Sequence, residues 1–404
     1  MIPEEDVARR ARRRSLTALL LAEVISVAGT YVTRLALPWF VLTATDSTSQ
    51  MGAVLATQMA AMAIFGIPAG PLADRLTPRR TMQIADLARG ALILLVPVLQ
   101  AAHLLSFPVL LAIVFLVGSF FTPYHAAQRV LLPDLVRDDQ QALSQANALL
   151  IGATRTASLL GPAVAGMLVA TSGASTALIV DAATFFASYL LITFFVRGKQ
   201  PSSAGNAPPT VFSGLILLVR DRVLRPWTIA QCVCEMAVQI VLAAVPIMAF
   251  LRYGGDPRTA GLLLMMFGAG AVAGNVLVLL LLPRWTTSRL IVAGCVLEPA
   301  ILWVLAIDTR AVTVGVVLLL AGSALGLING PGTAMQTHHT PPALRTHGMS
   351  AFATLILGSG ALGLALTAPA LETLSPEAVF TLVAMLYTIG SLFAIASTAR
   401  SDGA

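Results

Sequence analysis

Eight ionisable side chains lie within long apolar stretches of the chain, where they could carry protons or bind charged ligands. They are Glu23, Arg34, Asp86, Arg89, Arg155, Asp181, Glu235 and Glu298. An ionisable side chain at the centre of a bilayer costs roughly 2.5–3.5 kcal/mol even on the lenient insertion scale, so such residues usually face the protein interior and serve a function. A carboxyl group held away from water can be neutral or charged, depending on its neighbours and on the side that supplies protons.

Glu235 is the strongest of these candidates because it belongs to a polar stripe. Gln231, Glu235 and Gln239 stand at positions i, i+4 and i+8, which places them on one face of an otherwise apolar helix. Glu235 lies roughly 13 Å along this helix from its first residue, at 1.5 Å per residue. We expect Glu235 to exchange protons and to bind a cationic ligand in competition with the proton. The alternative is a structural ion pair with an arginine.

Five residues are candidates for the lining of a cavity. Glu23 and Arg34 share one helix but stand about 16 Å apart along it, too far to pair with each other. Arg155 either neutralises an acid or faces the cavity, and Glu298 is a candidate second titrating site. Asn329 is a lesser polar candidate. The alternatives are an interfacial carboxylate for Glu23 and a structural salt bridge for Arg34.

The composition indicates that membrane-spanning helices hold these side chains. Of 404 residues, 57% are hydrophobic and 11% are charged, whereas soluble domains carry roughly 25% charged residues. This excludes a soluble enzyme and, despite the net charge of +6, a nucleic-acid-binding module. Because a spanning helix needs about 20 mostly apolar residues, we predict twelve spans. They cover residues 16–43, 50–73, 81–101, 105–127, 144–171, 176–196, 226–251, 259–282, 288–307, 312–333, 350–372 and 378–398.

The basic residues predict the orientation and the division of the chain. With the N-terminus inside, 19 of the 25 lysine and arginine residues fall on the cytoplasmic side and three on the opposite side, as the positive-inside rule expects. Both termini are therefore predicted to be cytoplasmic, in a protein of the inner membrane. Residues 197–225 form a hydrophilic linker whose second part, Phe212 to Leu224, is predicted to be an amphipathic helix. We predict one six-helix bundle over 1–196 and a second over 226–404.

The two halves carry matching patterns, which indicates an internal duplication. A Pro-x4-Gln-x4-Pro pattern that begins at Pro123 recurs at Pro331, an offset of 208 residues. Two parallel six-helix repeats, related about an axis along the membrane normal, are the layout of one large class of secondary transporters. The predicted fold is therefore an all-α integral membrane protein with twelve transmembrane helices in two pseudo-symmetric bundles.

The loop between the second and third spans resembles the signature loop of the major facilitator superfamily, G-x-L-A-D-R-x-G-R-K/R. The resemblance is carried by Gly70, Asp74, Arg75, Arg79 and Arg80. It implies that Asp74 bonds a helix end near Thr346 to Ser350 while the arginines close a cytoplasmic gate. A carboxylate at a helix N-terminus is favourable by roughly 0.3–2 kcal/mol. Asp86 and Arg89, at i and i+3, can pair with each other and are expected to join this gate cluster.

A second resemblance lies in the fifth span, which is similar to the antiporter motif of drug exporters in this superfamily, G-x8-G-x3-G-P-x2-G-G. The matching residues are Gly152, Gly161, Pro162 and Gly166. The motif implies export rather than import, and ordinary close packing of small residues is the alternative. Stretches that begin at Leu132 and Asp181 resemble the branch that includes macrolide efflux proteins and the enterobactin exporter. Asp181 itself is expected to be structural.

The residues and the resemblance together predict a secondary transporter that exports a small amphipathic compound, such as a drug, an antibiotic or a siderophore, in exchange for protons. A lipid or lysophospholipid flippase and a passive facilitator on the same fold are the alternatives. The sequence contains no HExxH, GxSxG or phosphate-binding glycine loop, so we expect no enzymatic activity and no cofactor. The three cysteines lie in apolar runs and indicate neither a disulfide framework nor a metal site. The expected partners are the substrate, protons and the lipid bilayer, without nucleic acid, and the expected state is a monomer.

Overall fold

The computed structural model describes residues 4–66, 77–136, 140–196, 211–341 and 344–402, which fold into α-helices joined by short connections. The helices are α1 (Glu4–Thr45), α2 (Thr48–Gly66), α3 (Pro78–Ala101), α4 (Phe107–Ser119), α5 (Phe121–Val136), α6 (Gln140–Ser172), α7 (Ala174–Phe195), α8 (Val211–Arg220), α9 (Leu224–Leu251), α10 (Pro257–Leu281), α11 (Thr287–Leu302), α12 (Ala311–His339), α13 (Arg345–Thr373) and α14 (Pro376–Asp402). Eleven helical segments of the described chain are long and apolar enough to cross a membrane. The described part of α2 stops at Gly66, short of the end predicted at residue 73, and is not among the eleven.

Several helices begin where the local sequence favours a helix start. Thr77 precedes α3 and its side chain accepts a hydrogen bond from the backbone N–H of Arg80. Asp256 precedes α10 and accepts one from the backbone N–H of Arg258. Proline follows both capping residues, where its missing N–H is not needed because the first helical N–H groups have no partner within the helix.

The fourth predicted span, 105–127, corresponds to the membrane-spanning segment Phe107–Gln128, but two helices form it instead of one. Helix α4 ends at Ser119, and α5 begins at Phe121 and continues to Val136. Pro123 permits the break, because it has no N–H to donate to the carbonyl of Ser119 four residues earlier.

The helices pack as two similar bundles, α1–α7 and α9–α14, in which equivalent helices make equivalent contacts. In the first bundle α1 packs against α6 and α7, and in the second α9 packs against α13 and α14. Between the bundles α2 packs against α13 and α6 packs against α10, which are again equivalent pairs. The predicted all-α fold of two pseudo-symmetric bundles is therefore confirmed.

The two ends of the molecule differ in how closely the bundles meet. We call one end the linker end, because the start of α1, the end of α7, the start of α9 and the end of α14 lie there. The hydroxyl of Ser15 donates to the carbonyl of Phe195, and that of Ser397 donates to the carbonyl of Val223, each at 2.7 Å. The other end we call the closed end.

At the closed end both bundles contribute to one apolar core. Leu35 of α1 and Ala165 of α6 belong to the same buried cluster as Ile247 of α9 and Ala260 of α10. At the linker end the buried clusters are separate, one within α1–α7 and another within α9–α14. A Cβ at Gly152, in the linker-end half of α6, would meet no atom within 4 Å. Within the described residues, the bundles are thus joined at one end and apart at the other.

Small residues allow α6 and α10 to meet backbone to backbone at the closed end. A Cβ added at Gly166 would lie 2.5 Å from the carbonyl oxygen of Pro257, and one added at Gly261 would collide with the carbonyl of Pro162. Neither position has room for a side chain unless the helices separate.

The linker helix α8 packs against the start of α13. The backbone carbonyl of His347 occupies the space that a Cβ at Gly214 would need. The helix ends at Arg220, before the predicted end at Leu224, because Asp221 instead caps the next helix. Its Oδ1 accepts hydrogen bonds from the backbone N–H groups of Val223 and Leu224, at 2.8 and 2.7 Å.

Candidate functional site

A cavity of about 260 Å³ lies in the linker-end half of the second bundle, between α9, α12, α13 and α14. Three of the residues predicted from the sequence line it, namely Gln231, Glu235 and Asn329. Ligand pockets are typically about 300–1,000 Å³ in volume. The cavity is slightly smaller than this range, so it can hold a small ligand or part of a larger one.

Glu235 is hydrogen-bonded within the polar stripe on α9. Its Oε1 accepts a hydrogen bond from Nε2 of Gln239 at 2.8 Å. The i, i+4 spacing brings the two side chains together on one helix face. The carboxyl group of Glu235 thus has a neutral partner from its own helix while it lines the cavity.

Arg34 approaches Glu235 from the other bundle. The two side chains interact electrostatically, yet they are not joined as an ion pair, since the ion pairs within 4.0 Å in the described residues lie elsewhere. Arg34 is exposed, and its guanidinium lies 4.8 Å from the centre of the Tyr31 ring. An acid of one bundle and a base of the other therefore lie near each other without neutralising contact.

Glu298 lies behind the wall of the cavity. It is 2% exposed and lies beside Tyr387, whose side chain lines the cavity. Its Oε1 has no hydrogen-bond partner among the described residues. Tyr387 thus connects the cavity to a second buried carboxyl group.

The aromatic wall of the cavity is the part that sequence reasoning missed. Trp227, Phe352 and Tyr387 line it, and the indole of Trp227 fills the space beside Gly332. Trp227 stands four residues before Gln231 and so extends the polar stripe by one turn of the same helix face. That spacing could have identified Trp227, whereas nothing local marks the other two.

Glu23 is not in the lining of this cavity. It is 3% exposed inside the first bundle, where its Oε2 accepts a hydrogen bond from the hydroxyl of Tyr124 at 2.9 Å. Asp86, Arg89 and Asp181 lie in the same interior. Asp86 accepts a hydrogen bond from Ser188 rather than forming an ion pair with Arg89. Arg155 is exposed on α6.

The residues of the two family motifs are placed as follows. Outside the described residues lie Gly70, Asp74 and Arg75. Arg79 donates to the carbonyls of Ile192 and Thr193, which places its positive charge at the C-terminal end of α7, and Arg80 is exposed. Gly161, Pro162 and Gly166 are buried, the last two at the contact of α6 with α10, and Gly152 lies free of that contact.

Comparison with known families places this architecture among membrane transporters. The model of the Major Facilitator Superfamily matches residues 19–364. A relative from Mycobacterium tuberculosis named multidrug efflux pump Tap is 25% identical over 405 residues, which cover 96% of this chain and 94% of the relative. A protein of the same name from Mycolicibacterium fortuitum is 25% identical over 387 residues, or 91% and 92% of the two chains.

Solved structures show the same fold at low sequence identity. The nucleoside transporter NupG has a TM-score of 0.73 and 13% identity, with 95% of this chain and 98% of that chain covered. A bacterial homolog of the human lysosomal transporter Spinster, in an inward-facing and unoccupied conformation, has a TM-score of 0.69 and 13% identity, with 96% and 94% covered. At these identities the similarity concerns the fold alone.

Proposed function

The chain belongs to the Major Facilitator Superfamily, and we propose that it exports a small amphipathic compound in exchange for protons by alternating access. It is a multi-pass membrane transporter; the direction of transport, the class of cargo and the coupling ion form the proposal. Support for export comes from the two relatives reported above, both of which are named multidrug efflux pumps.

The observation that carries the proposal is the environment of Glu235. This carboxyl group lines the cavity on an otherwise apolar helix, and its direct partner is the neutral amide of Gln239. An amide can donate to a carboxylate and can accept from a carboxylic acid. Glu235 therefore keeps a hydrogen-bond partner in both protonation states, as a site that alternates between them requires.

Competition for Glu235 would couple the cargo to the proton. With the linker end open, the ionised carboxylate attracts a cationic cargo, while Trp227 and Phe352 cover its apolar body. With the other end open, a proton bound to the same carboxyl removes that attraction and the cargo leaves. Because the proton and the cargo compete for one carboxyl group, the proton gradient across the membrane gives the exchange its direction.

The proposal also covers how the protein is oriented in the membrane, how its two bundles move and how many copies are needed. The linker end faces the cytoplasm, because 19 of 25 basic residues fall on that side of the inner membrane. The bundles 1–196 and 226–404 rock against each other, so that the closed end opens when the linker end closes, and the linker 197–225 joins them. Asp74 with the gate arginines closes the cytoplasmic side. One copy supplies the whole lining of the cavity, so a monomer suffices.

Ethidium uptake into inside-out membrane vesicles tests this function. The vesicles carry wild type, Glu235→Gln or the matched control Glu377→Gln. Glu377 does not line the cavity and forms an ion pair with Arg252, with an N–O distance of 3.0 Å. With an acidic lumen, we expect wild type and Glu377→Gln to accumulate the dye. We expect Glu235→Gln, inserted and folded at the same level, to accumulate none.

Other outcomes would contradict defined parts of the proposal. Equal uptake by wild type with and without the gradient would make the protein a facilitator for this dye. Gradient-driven accumulation by Glu235→Gln at the wild-type level would remove Glu235 from the coupling. No movement of ethidium by wild type would contradict a hydrophobic cationic cargo and favour a lipid or siderophore cargo.

A further inference from the structure

The first bundle buries four charged side chains that the exchange at Glu235 does not use. Glu23 of α1, Asp86 and Arg89 of α3, and Asp181 of α7 are each at most 4% exposed. Arg89 interacts electrostatically with all three acids. We call these four residues the Arg89 cluster; they lie in the bundle that does not contain the cavity.

The charges of the Arg89 cluster do not balance. Three carboxylates and one guanidinium leave a net charge of −2 when all four groups are ionised. Within the described residues, none of the three acids lies within 4.0 Å of Arg89 as an ion pair. Uncompensated charges of one sign are strongly unfavourable in a low-dielectric interior. The cluster becomes neutral when its carboxyl groups hold two protons.

Each acid of the cluster has a hydroxyl group as its hydrogen-bond partner. The pairs are Tyr124 with Glu23 at 2.9 Å, Ser188 with Asp86 at 2.6 Å, and Thr33 with Asp181 at 2.5 Å. A hydroxyl can donate to a carboxylate and can accept from a carboxylic acid. All three pairs therefore persist whether the acid is ionised or protonated, which a guanidinium partner would not allow.

Two atoms within the cluster lack partners. Both atoms are buried: among the described residues, Oδ1 of Asp86 accepts no hydrogen bond and Nε of Arg89 donates none. Arg89 is held instead by the ring of Phe185, 4.1 Å from its guanidinium, and by a hydrogen bond to Thr30 at 3.3 Å. An ionised oxygen left without a donor loses its full solvation, whereas a protonated carboxyl group loses much less. The unpartnered Oδ1 points independently to a proton on Asp86.

The cluster extends lengthwise through the bundle. Glu23 lies towards the linker end, beside Tyr124. Besides the three acids, Tyr124 also interacts electrostatically with Arg89, and the ring of His125 contacts the ring of Tyr124. Asp181 lies seven residues from the closed-end start of α7, or about 10 Å at 1.5 Å per residue. The two extremes of the cluster are thus nearest to opposite ends of the molecule.

We propose that the Arg89 cluster binds and releases protons of its own during transport, in addition to the proton exchanged at Glu235. This inference rests on the proposed proton exchange and extends it, since it places part of the coupling in the bundle that does not hold the cargo. The step is a proton transfer alone. A carboxylate oxygen takes a proton from water reaching one end and forms an O–H bond, and the bond breaks when water from the other end accepts the proton.

Infrared difference spectroscopy of the protein in lipid nanodiscs tests the protonation directly. The signal of protonated carboxyl groups is compared between wild type, Asp86→Asn, Asp181→Asn and the control Glu377→Gln. Neutralising one acid leaves a net charge of −1 for the cluster, so we expect each cluster variant to lose one of its two protonated carboxyl groups. The control should lose none. An unchanged signal in both cluster variants would mean that the cluster is fully ionised and would overturn the inference.

Ethidium transport separates this inference from the proposed function. Failure of the proposed function appears in wild type alone, as uptake that ignores the proton gradient. If wild type depends on the gradient, we expect Asp86→Asn and Asp181→Asn to lose accumulation while they retain downhill movement of ethidium. Full accumulation by these variants would overturn the inference and leave the function intact.

Ser188→Ala tests the same inference without changing a charge, in case the asparagine variants fail to fold. It keeps all four charges and removes only the hydroxyl partner of Asp86. We expect the pH dependence of gradient-driven uptake to shift relative to wild type. A profile that coincides with wild type would count against protonation at Asp86 during the cycle.

Discussion

Replacing Gly166 by alanine should weaken the contact that holds the closed end together. The added Cβ would lie 2.5 Å from the carbonyl oxygen of Pro257, 3.2 Å from Cα of Gly261 and 3.3 Å from Cα of Arg258. All three atoms belong to the backbone of α10, so no side-chain rotation can relieve the clash. Helix α6 must move away from α10.

Overpacking of this kind costs about 1–3 kcal/mol. The cost falls on the conformation in which α6 and α10 touch and not on one in which they have parted. A difference of about 1–3 kcal/mol changes an equilibrium constant roughly 5- to 150-fold. Gly166→Ala should therefore move the population towards a conformation that is open at the closed end.

Distances between two spin labels would measure this shift. Leu104, between α3 and α4, and Ile307, between α11 and α12, are 67% and 87% exposed and lie at the closed end of the two bundles. Cysteines at these positions, in a background without the three native cysteines, accept the labels. We expect Gly166→Ala to add a population at longer distance.

Gly152→Ala is the matched control, because it makes the same substitution in the same helix where a Cβ meets nothing within 4 Å. Alanine also favours a helix interior over glycine by about 1 kcal/mol, so this variant should fold well and keep the wild-type distances. If both variants gave the wild-type distribution, the backbone contact of α6 with α10 would not be what holds this end closed.

Two exposed contacts at the closed end give smaller expected effects. Arg252→Gln removes the ion pair with Glu377, whose side chains are 45% and 35% exposed, so thermal unfolding should show a loss of at most about 1 kcal/mol; a larger loss would contradict a solvated pair. Hydrogen bonds from the hydroxyl of Thr313 and from a backbone N–H hold the pKa of Asp308 below its ordinary value. Ionised Asp308 therefore stabilises the fold above the ordinary aspartate pKa, and this stabilisation is lost as the pH falls through the lowered pKa of Asp308. Unfolding of Asp308→Asn followed against pH should lack this acid-side loss, and a profile equal to wild type would refute the assignment.

The membrane-spanning elements and one contact of the site could be predicted from the sequence. Runs of about 20 apolar residues leave few alternatives to spanning helices, because a helix satisfies every backbone hydrogen bond within itself. The hydrogen bond from Gln239 to Glu235 follows from the i, i+4 spacing, which helical geometry alone brings together.

The break between α4 and α5 shows where a local signal becomes ambiguous. Pro123 follows the break, but other prolines lie inside helices that continue through them. Among them are Pro38, Pro97, Pro162, Pro246, Pro299 and Pro331, the last of which stands at the position equivalent to Pro123. The residue type permits a break, and the packing of neighbouring helices decides whether one forms.

The Arg89 cluster could not be predicted from the sequence. The spacing of Asp86 and Arg89 allowed an ion pair within α3 or a place near the loop that contains Asp74. The structure instead pairs Asp86 with Ser188, 102 residues away, and Arg89 with Thr30, 59 residues away. These pairings depend on how each helix is rotated about its axis, which the apolar pattern does not specify when all faces are apolar.

By itself the sequence determined that the chain spans the membrane in two repeated halves, that its basic residues favour one side, and that Glu235 lies on a polar stripe. Only the tertiary structure decided which carboxyl groups meet in the first bundle and which end of the molecule is closed. The physical reason is that conformations open at either end would bury the same spans and use the same local signals. The difference between them comes from long-range contacts, such as Gly166 against Pro257, which leave no periodic mark on the sequence.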